Sequence, residues 1–141
     1  MKNLIFSLIL ASLLLPLHAN AEQMQQLGRW DVHYMVVTST FLTPEVASAY
    51  GIQRSNYNAV VNISVLDSEN KKAQEAAVTG QAVNLIGVVK ELDFKQINEG
   101  EAIYYIAVLP FRDQEQYKFE ISVQKGGETQ KLKFEQKLYP D

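Results

Sequence analysis

Between residues 117 and 136 the chain reads YKFEISVQKGGETQKLKFEQ, two alternating runs around Gly126-Gly127. That hairpin narrows the possible folds more than any other feature of the sequence. A two-residue primed turn requires positive φ at its central positions, and glycine supplies it at both without strain. Such a turn sets Lys125 opposite Glu128. Ile121 then faces Leu132 and Phe119 faces Phe134 on one side of the ribbon, while Glu120 meets Lys133 and Lys118 meets Glu135 on the other. Apolar pairs with apolar and charge with opposite charge, as cross-strand energetics favour. A slip of one residue would break both sets at once.

The same period of two recurs along the chain. Trp30, Val32, Tyr34 and Val36 form one apolar face, with Arg29, Asp31 and His33 on the other. In 57–66 the odd positions Tyr57, Ala59, Val61, Ile63 and Val65 are expected to face inward. Residues 77–89 carry a weaker strand pattern, interrupted by Gly80 and Gly87, where a bulge or bend is expected. Ile103 to Phe111 is apolar on both faces and reads as a central strand stopped by Pro110. One segment departs from the pattern. Thr43-Pro44-Glu45 starts a helix with a hydroxyl cap, proline in the first turn and an acid at the positive end of the dipole. Gly51 ends that helix, 44–50, as the left-handed residue, with Ile52 folding back onto Val46 or Ala47. Six or seven strands, one crossover helix and no βαβ alternation predict an all-β, antiparallel immunoglobulin-like β-sandwich, with an open barrel as the alternative.

Residues 1–21 read as a secretory signal peptide: Lys2, an apolar run from Leu4 to Leu15, Pro16, and the small-x-small site Ala19-Asn20-Ala21. The run is shorter than the roughly 20 residues that span a bilayer. Cleavage after about Ala21 leaves 22–141, the length of a single domain. The chain has no cysteine. An exported domain without disulfides fits a bacterial periplasm better than a disulfide-rich secretion route. With Lys2 removed, 12 basic residues face 16 acidic ones, a net charge of −4. That balance argues against nucleic acid or an anionic membrane as the main partner.

Catalytic chemistry is sparse. His33 is the only histidine after the leader, and no His/Cys spacing marks a metal site. Asp31, His33 and Ser39 or Ser55 can be written as a triad, but no nucleophile elbow accompanies them. Asp67-Ser68-Glu69-Asn70 opens like a calcium loop, yet Lys71 and Lys72 replace the ligand and glycine that such a loop needs, so it reads as a solvated tip. The pairs Glu99/Glu101 and Glu91/Asp93 read as solvated charges. No catalytic residue, metal or cofactor is implied.

Ser39 to Ser55, STFLTPEVASAYGIQRS, is the unusual stretch. It reads either as a crossover that plugs one open end of the sandwich with Phe41, Leu42, Val46 and Tyr50, or as a recognition surface. Together with WDVHY (30–34), VNISVL (61–66), AIYYIAVLPF (102–111) and KFEQKLYP (133–140), it closely resembles domain of unknown function 4426 (DUF4426), a family of small exported proteins of gamma-proteobacteria. The resemblance spans the mature chain. It implies a periplasmic location but no activity. By motif position it points to His33, Tyr34, Phe41, Leu42, Pro44, Glu45, Tyr50, Gly51, Arg54 and Ser55. From these, His33, Tyr34, Phe41, Glu45, Tyr50, Arg54 and Ser55 are taken as binding candidates. The expectation is a periplasmic, non-enzymatic binding or interaction module whose partner is a protein or small ligand met around 39–55. An envelope accessory or chaperone-like protein acting through a sheet edge is the first alternative, and a hydrolase using His33 the second.

Overall fold

The computed structural model describes residues 22–141, so the expected leader at 1–21 lies outside the described residues. Nine strands form two antiparallel sheets: β1 (Gln23–Leu27), β2 (Trp30–Thr38), β3 (Asn58–Asp67), β4 (Ala77–Asn84), β5 (Val89–Leu92), β6 (Lys95–Glu99), β7 (Ala102–Pro110), β8 (Glu115–Lys125) and β9 (Glu128–Leu138). The first sheet has the order β1-β2-β3-β7-β6 and the second β5-β4-β8-β9. The only α-helix among the described residues, α1 (Pro44–Ala49), lies between β2 and β3 and follows a 3-10 turn at Ser39–Phe41.

The core fills the space between the sheets. Trp30, Val32, Tyr34 and Val36 of β2 and Ala59, Val61, Ile63 and Val65 of β3 all point into it. From the second sheet come Tyr117, Phe119, Ile121, Val123 and Leu132. The alternation read from the sequence therefore holds along β2 and β3, with one correction. Tyr57 precedes β3 and is exposed, resting against Phe111 with ring centroids 6.1 Å apart.

Nine strands, against the six or seven expected, come from two places. QMQQL (23–27) has no apolar alternation, because β1 is an edge strand whose side chains mostly meet solvent. Residues 77–99 hold three strands, since the chain turns at 85–88 and then passes from the second sheet to the first between β5 and β6. Gly80 is not a bulge. It pairs with Leu92 and Ile121, and a Cβ there would stand 2.8 Å from the Ile121 side chain, so only glycine lets β8 approach.

The β8–β9 register is as derived: Lys125 opposite Glu128, Ile121 opposite Leu132 and Phe119 opposite Phe134. Two details differ. Gly126 alone has positive φ, the pattern of a II′ rather than a I′ turn. Glu120 lies opposite Lys133 but takes its ion pair diagonally, from Lys131 Nζ at 3.1 Å. Phe119→Ala should destabilise by about 3–5 kcal/mol, as truncating a fully buried aromatic does. Phe134, half-buried, should lose less on truncation. Lys118→Ala should cost under about 1 kcal/mol, because its pair with Glu135 is exposed. Urea melts of the three variants check this order, and equal losses would refute the facing of the hairpin.

Candidate functional site

The crossover is fixed at both ends by one buried hydroxyl. Ser39 Oγ donates to the Ser55 carbonyl at 2.9 Å and accepts from the Ser55 amide at 2.8 Å. Between these anchors Thr43 caps α1 by accepting from the Val46 amide, with Pro44 in the first turn. At the far end the Ile52 amide reaches the Ala47 carbonyl at 2.8 Å and the Gly51 amide reaches Ser48 at 3.2 Å. Gly51 sits at φ +68, which completes the left-handed termination read from the sequence. Ala47 and Ile52 pack on Val37 and Val60, which point away from the main core. The crossover thus covers the outer face of the first sheet and does not plug an open end. The plug reading fails because Val37 and Val60 give the strands a second apolar face for α1 to bury.

The seven binding candidates do not converge. Tyr34 points into the core and stacks on Phe134 at 4.3 Å. Ser55 belongs to the serine clamp. Arg54 is exposed and donates to the Thr40 carbonyl at 3.1 Å, so its guanidinium both meets solvent and ties the crossover together. Glu45 is exposed on the first turn of α1, and Phe41 is left 67% exposed. Tyr50 donates its hydroxyl to the Glu99 carboxylate, a hydrogen bond that raises the phenol above its ordinary range. It also lines a cavity of about 250 Å³ with Ile52, Lys95, Ile106 and Val108, where Glu91 and Asp93 supply negative charge. His33 lies on the same outer face, with Nδ1 3.5 Å from Glu22.

The triad is not assembled. Asp31 is held by Lys71 Nζ at 2.6 Å, and Ser39 and Ser55 are spent on each other. Among the described residues no three His, Cys, Asp or Glu side chains gather as a metal site. The Asp67 loop is a solvated turn, its carboxylate accepting from the Glu69 and Asn70 amides.

A surface that the sequence did not single out lies at the β4–β5 turn. Leu85 and Ile86 are 74% and 85% exposed, and Val88 and Val89 are also uncovered. The turn is tightly determined. Asn84 Oδ1 accepts from the Ile86 and Val88 amides at 3.2 and 2.8 Å, and the Asn84 amide donates to the Val88 carbonyl at 3.1 Å. Gly87 takes φ +84. Asn84 Nδ2 in turn donates to Glu115 Oε2 at 2.9 Å, while Glu115 Oε1 accepts from the Tyr117 hydroxyl at 2.6 Å and the Arg112 amide at 3.0 Å. Burial alone would raise the Glu115 carboxyl, but these bonds outweigh it and hold it below the usual carboxylate range.

Topology gathers more exposed apolar groups at this end. β2, β4, β7 and β9 finish here, and β3, β5 and β8 begin here. Thr38 Oγ1 donates to the Tyr139 carbonyl, and the Phe111 amide to the Tyr57 carbonyl, binding these loops together. Phe41, Tyr57 and Tyr139 therefore share the end with Leu85 and Ile86. Asn84 and Gly87 flanking apolar residues were the available signal: turn chemistry with nothing polar on the turn.

The sequence profile of DUF4426, a domain of unknown function, matches residues 24–141. A crystal structure of a DUF4426 family protein from Pseudomonas aeruginosa PAO1 is similar at 41% identity and TM-score 0.76, covering 85% of this chain and 96% of that one. Two structures of FetP from uropathogenic Escherichia coli share the fold at 12% identity and TM-score 0.59. The copper-bound variant covers 86% of this chain and 92% of its own. The as-isolated protein, recombinantly expressed in the periplasm of E. coli BL21(DE3), covers 86% and 95%. No match is found among curated proteins.

Because the folded Glu115 carboxyl sits below its ordinary value, it contributes stability above the unfolded pKa, and that contribution is lost as pH falls through the folded one. Glu115→Gln should lower stability by about 2 kcal/mol at neutral pH, as expected for lost hydrogen bonds to a charged group. The difference from wild type should shrink below about pH 4. Chemical denaturation across pH 3–7 reads both effects, and a constant gap would refute the carboxylate's role.

Proposed function

This chain belongs to the DUF4426 family, and from that premise we propose that it is an exported, periplasmic, non-enzymatic interaction module that docks on a partner protein through the apolar end of its sandwich. The observation that carries this reading is the β4–β5 turn, where Leu85, Ile86, Val88 and Val89 stand uncovered on a backbone held by Asn84. Leu85 and Ile86, the most exposed of these, each stand to contribute up to roughly 1.5–3 kcal/mol when a partner removes them from water. A turn already rigid loses little entropy on docking, so more of that gain reaches the affinity.

The surroundings favour a protein over a lipid surface. The connections at this end carry charges of both signs, with Arg54, Arg112 and Lys137 against Asp113 and Asp141, which suits the apolar-centre, polar-rim anatomy of protein interfaces. The net charge of −4 expected after leader removal adds repulsion from an anionic membrane. The crossover takes part through Phe41, Glu45 and Arg54, so the recognition surface read around 39–55 becomes one flank of a larger one. The leader and the cysteine-free core support a periplasmic location.

A photo-crosslinking residue placed at Ile86 should trap a protein adduct in the periplasm, whereas one at Gly127, on the opposite end, should not. With the photo-crosslinking residue moved to Phe41, the pair Leu85→Ser with Ile86→Asp should abolish the protein adduct while changing the urea midpoint little, since exposed substitutions usually stay within about 0.5 kcal/mol. Equal trapping at both ends, or lipid adducts alone, would overturn the reading.

A further inference from the structure

Both methionines that follow the initiator flank the one histidine of the described chain. The sequence holds three methionines, Met1 among them. Met24 is the direct cross-strand partner of His33 in the β1–β2 ladder, so the two side chains stand on one face with Cβ atoms roughly 5 Å apart. Met35 is two residues beyond His33 on β2 and projects from that same outer face, as strand alternation requires. Glu22 completes the group, its carboxylate 3.5 Å from His33 Nδ1.

We propose that this outer face of β1–β2 binds a single copper(I) ion, with the Met24 and Met35 thioethers and the His33 imidazole as donors and Glu22 orienting the ring. The donor types select the metal. Thioether sulfur is soft and favours monovalent copper, and imidazole suits it equally. Zinc and calcium demand more nitrogen, thiolate or oxygen ligands than this face offers, and no triplet of His, Cys, Asp or Glu exists among the described residues. A carboxylate beside Nδ1 is the usual partner of a metal-ligating histidine, because it holds that proton and leaves the Nε2 lone pair for the ion.

Packing does not account for the methionines equally. Met35 is half-buried beside the Val37, Ala47, Ile52 and Val60 cluster, and a core role alone would suit it. Met24 is 49% exposed on a polar edge strand, where a large thioether fills no gap. Its place opposite His33 is therefore what makes the cluster. The site uses residues outside the docking end, so it stands or falls separately.

The test uses protein exported from its full-length chain and purified without oxygen, competing for copper(I) against bathocuproine disulfonate. Wild type should withdraw one equivalent. Met24→Leu and His33→Gln should each weaken binding by about tenfold or more. Both should keep the wild-type urea midpoint, since neither change disturbs the core. Silver(I), a redox-inert probe of equal softness, should shift the methyl resonances of Met24 and Met35 together, while zinc(II) should shift neither. Failure to withdraw copper, or wild-type affinity in folded Met24→Leu, would overturn the site. A silver response confined to one methionine would overturn the joint ligand set.

Discussion

Tyr34, Phe134 and Phe119 stack ring on ring from one sheet to the other, with centroids 4.3 and 4.6 Å apart. Much of the architecture follows from this stack. It holds β2 against β9 and β8, which brings the β1 edge of one sheet beside the β9 edge of the other. Two side chains then bridge the sheets where no ladder can form: Gln25 donates to the Lys133 carbonyl at 3.0 Å, and Gln136 to the Val36 carbonyl at 3.1 Å. On the opposite flank the chain itself makes the closure, running from β5 of the second sheet into β6 of the first. With both flanks closed, the surfaces left for recognition are the two ends and the outer faces.

The two ends differ in chemistry because different strand connections meet there. One end holds the β1–β2 turn, the loop after β3, the β6–β7 turn and the Gly126 hairpin. Arg29, Asp67 and Lys125 line a cavity of about 560 Å³ there. At the other end the connections carry Phe41, Tyr57, Leu85, Ile86 and Tyr139. An outer face and one end are thus available at once, so the proposed metal site and the proposed docking surface do not overlap.

What could be read from the sequence was local and redundant. The β8–β9 register was legible because each pairing was specified twice, by apolar contact on one side and opposite charge on the other. The end of α1 was legible because Gly51 and Ile52 occupy positions where only one backbone geometry satisfies the last carbonyls. β1 was not legible, since an edge strand exposed on both faces needs no alternation. Nor was the β4–β5 turn. Leu85, Ile86, Val88 and Val89 look like strand residues, and periodicity registers that a side chain is apolar without registering whether anything covers it. The binding candidates came from one sequence motif, but strand parity sends His33 outward and Tyr34 inward, so neighbours in the motif serve a surface and a core respectively. Met24 was hidden in the same way, because its partner is nine residues distant in sequence and adjacent only across the ladder.

Exposed apolar residues are a hazard at sheet edges, and this chain defends its edges. β1 and β6 are short and mostly polar, β5 has four residues, and the long β9 carries lysines at 131, 133 and 137. Against that background the uncovered β4–β5 turn stands out. Asn84 satisfies the amides of Ile86 and Val88, so the turn offers few backbone groups to a strand of another chain, and Gly87 supplies a bend that no strand can continue. Fibrous edge pairing is blocked there while side-chain burial is left open. A turn with that combination disfavours generic strand addition, so the proposed docking rests on complementary apolar shape.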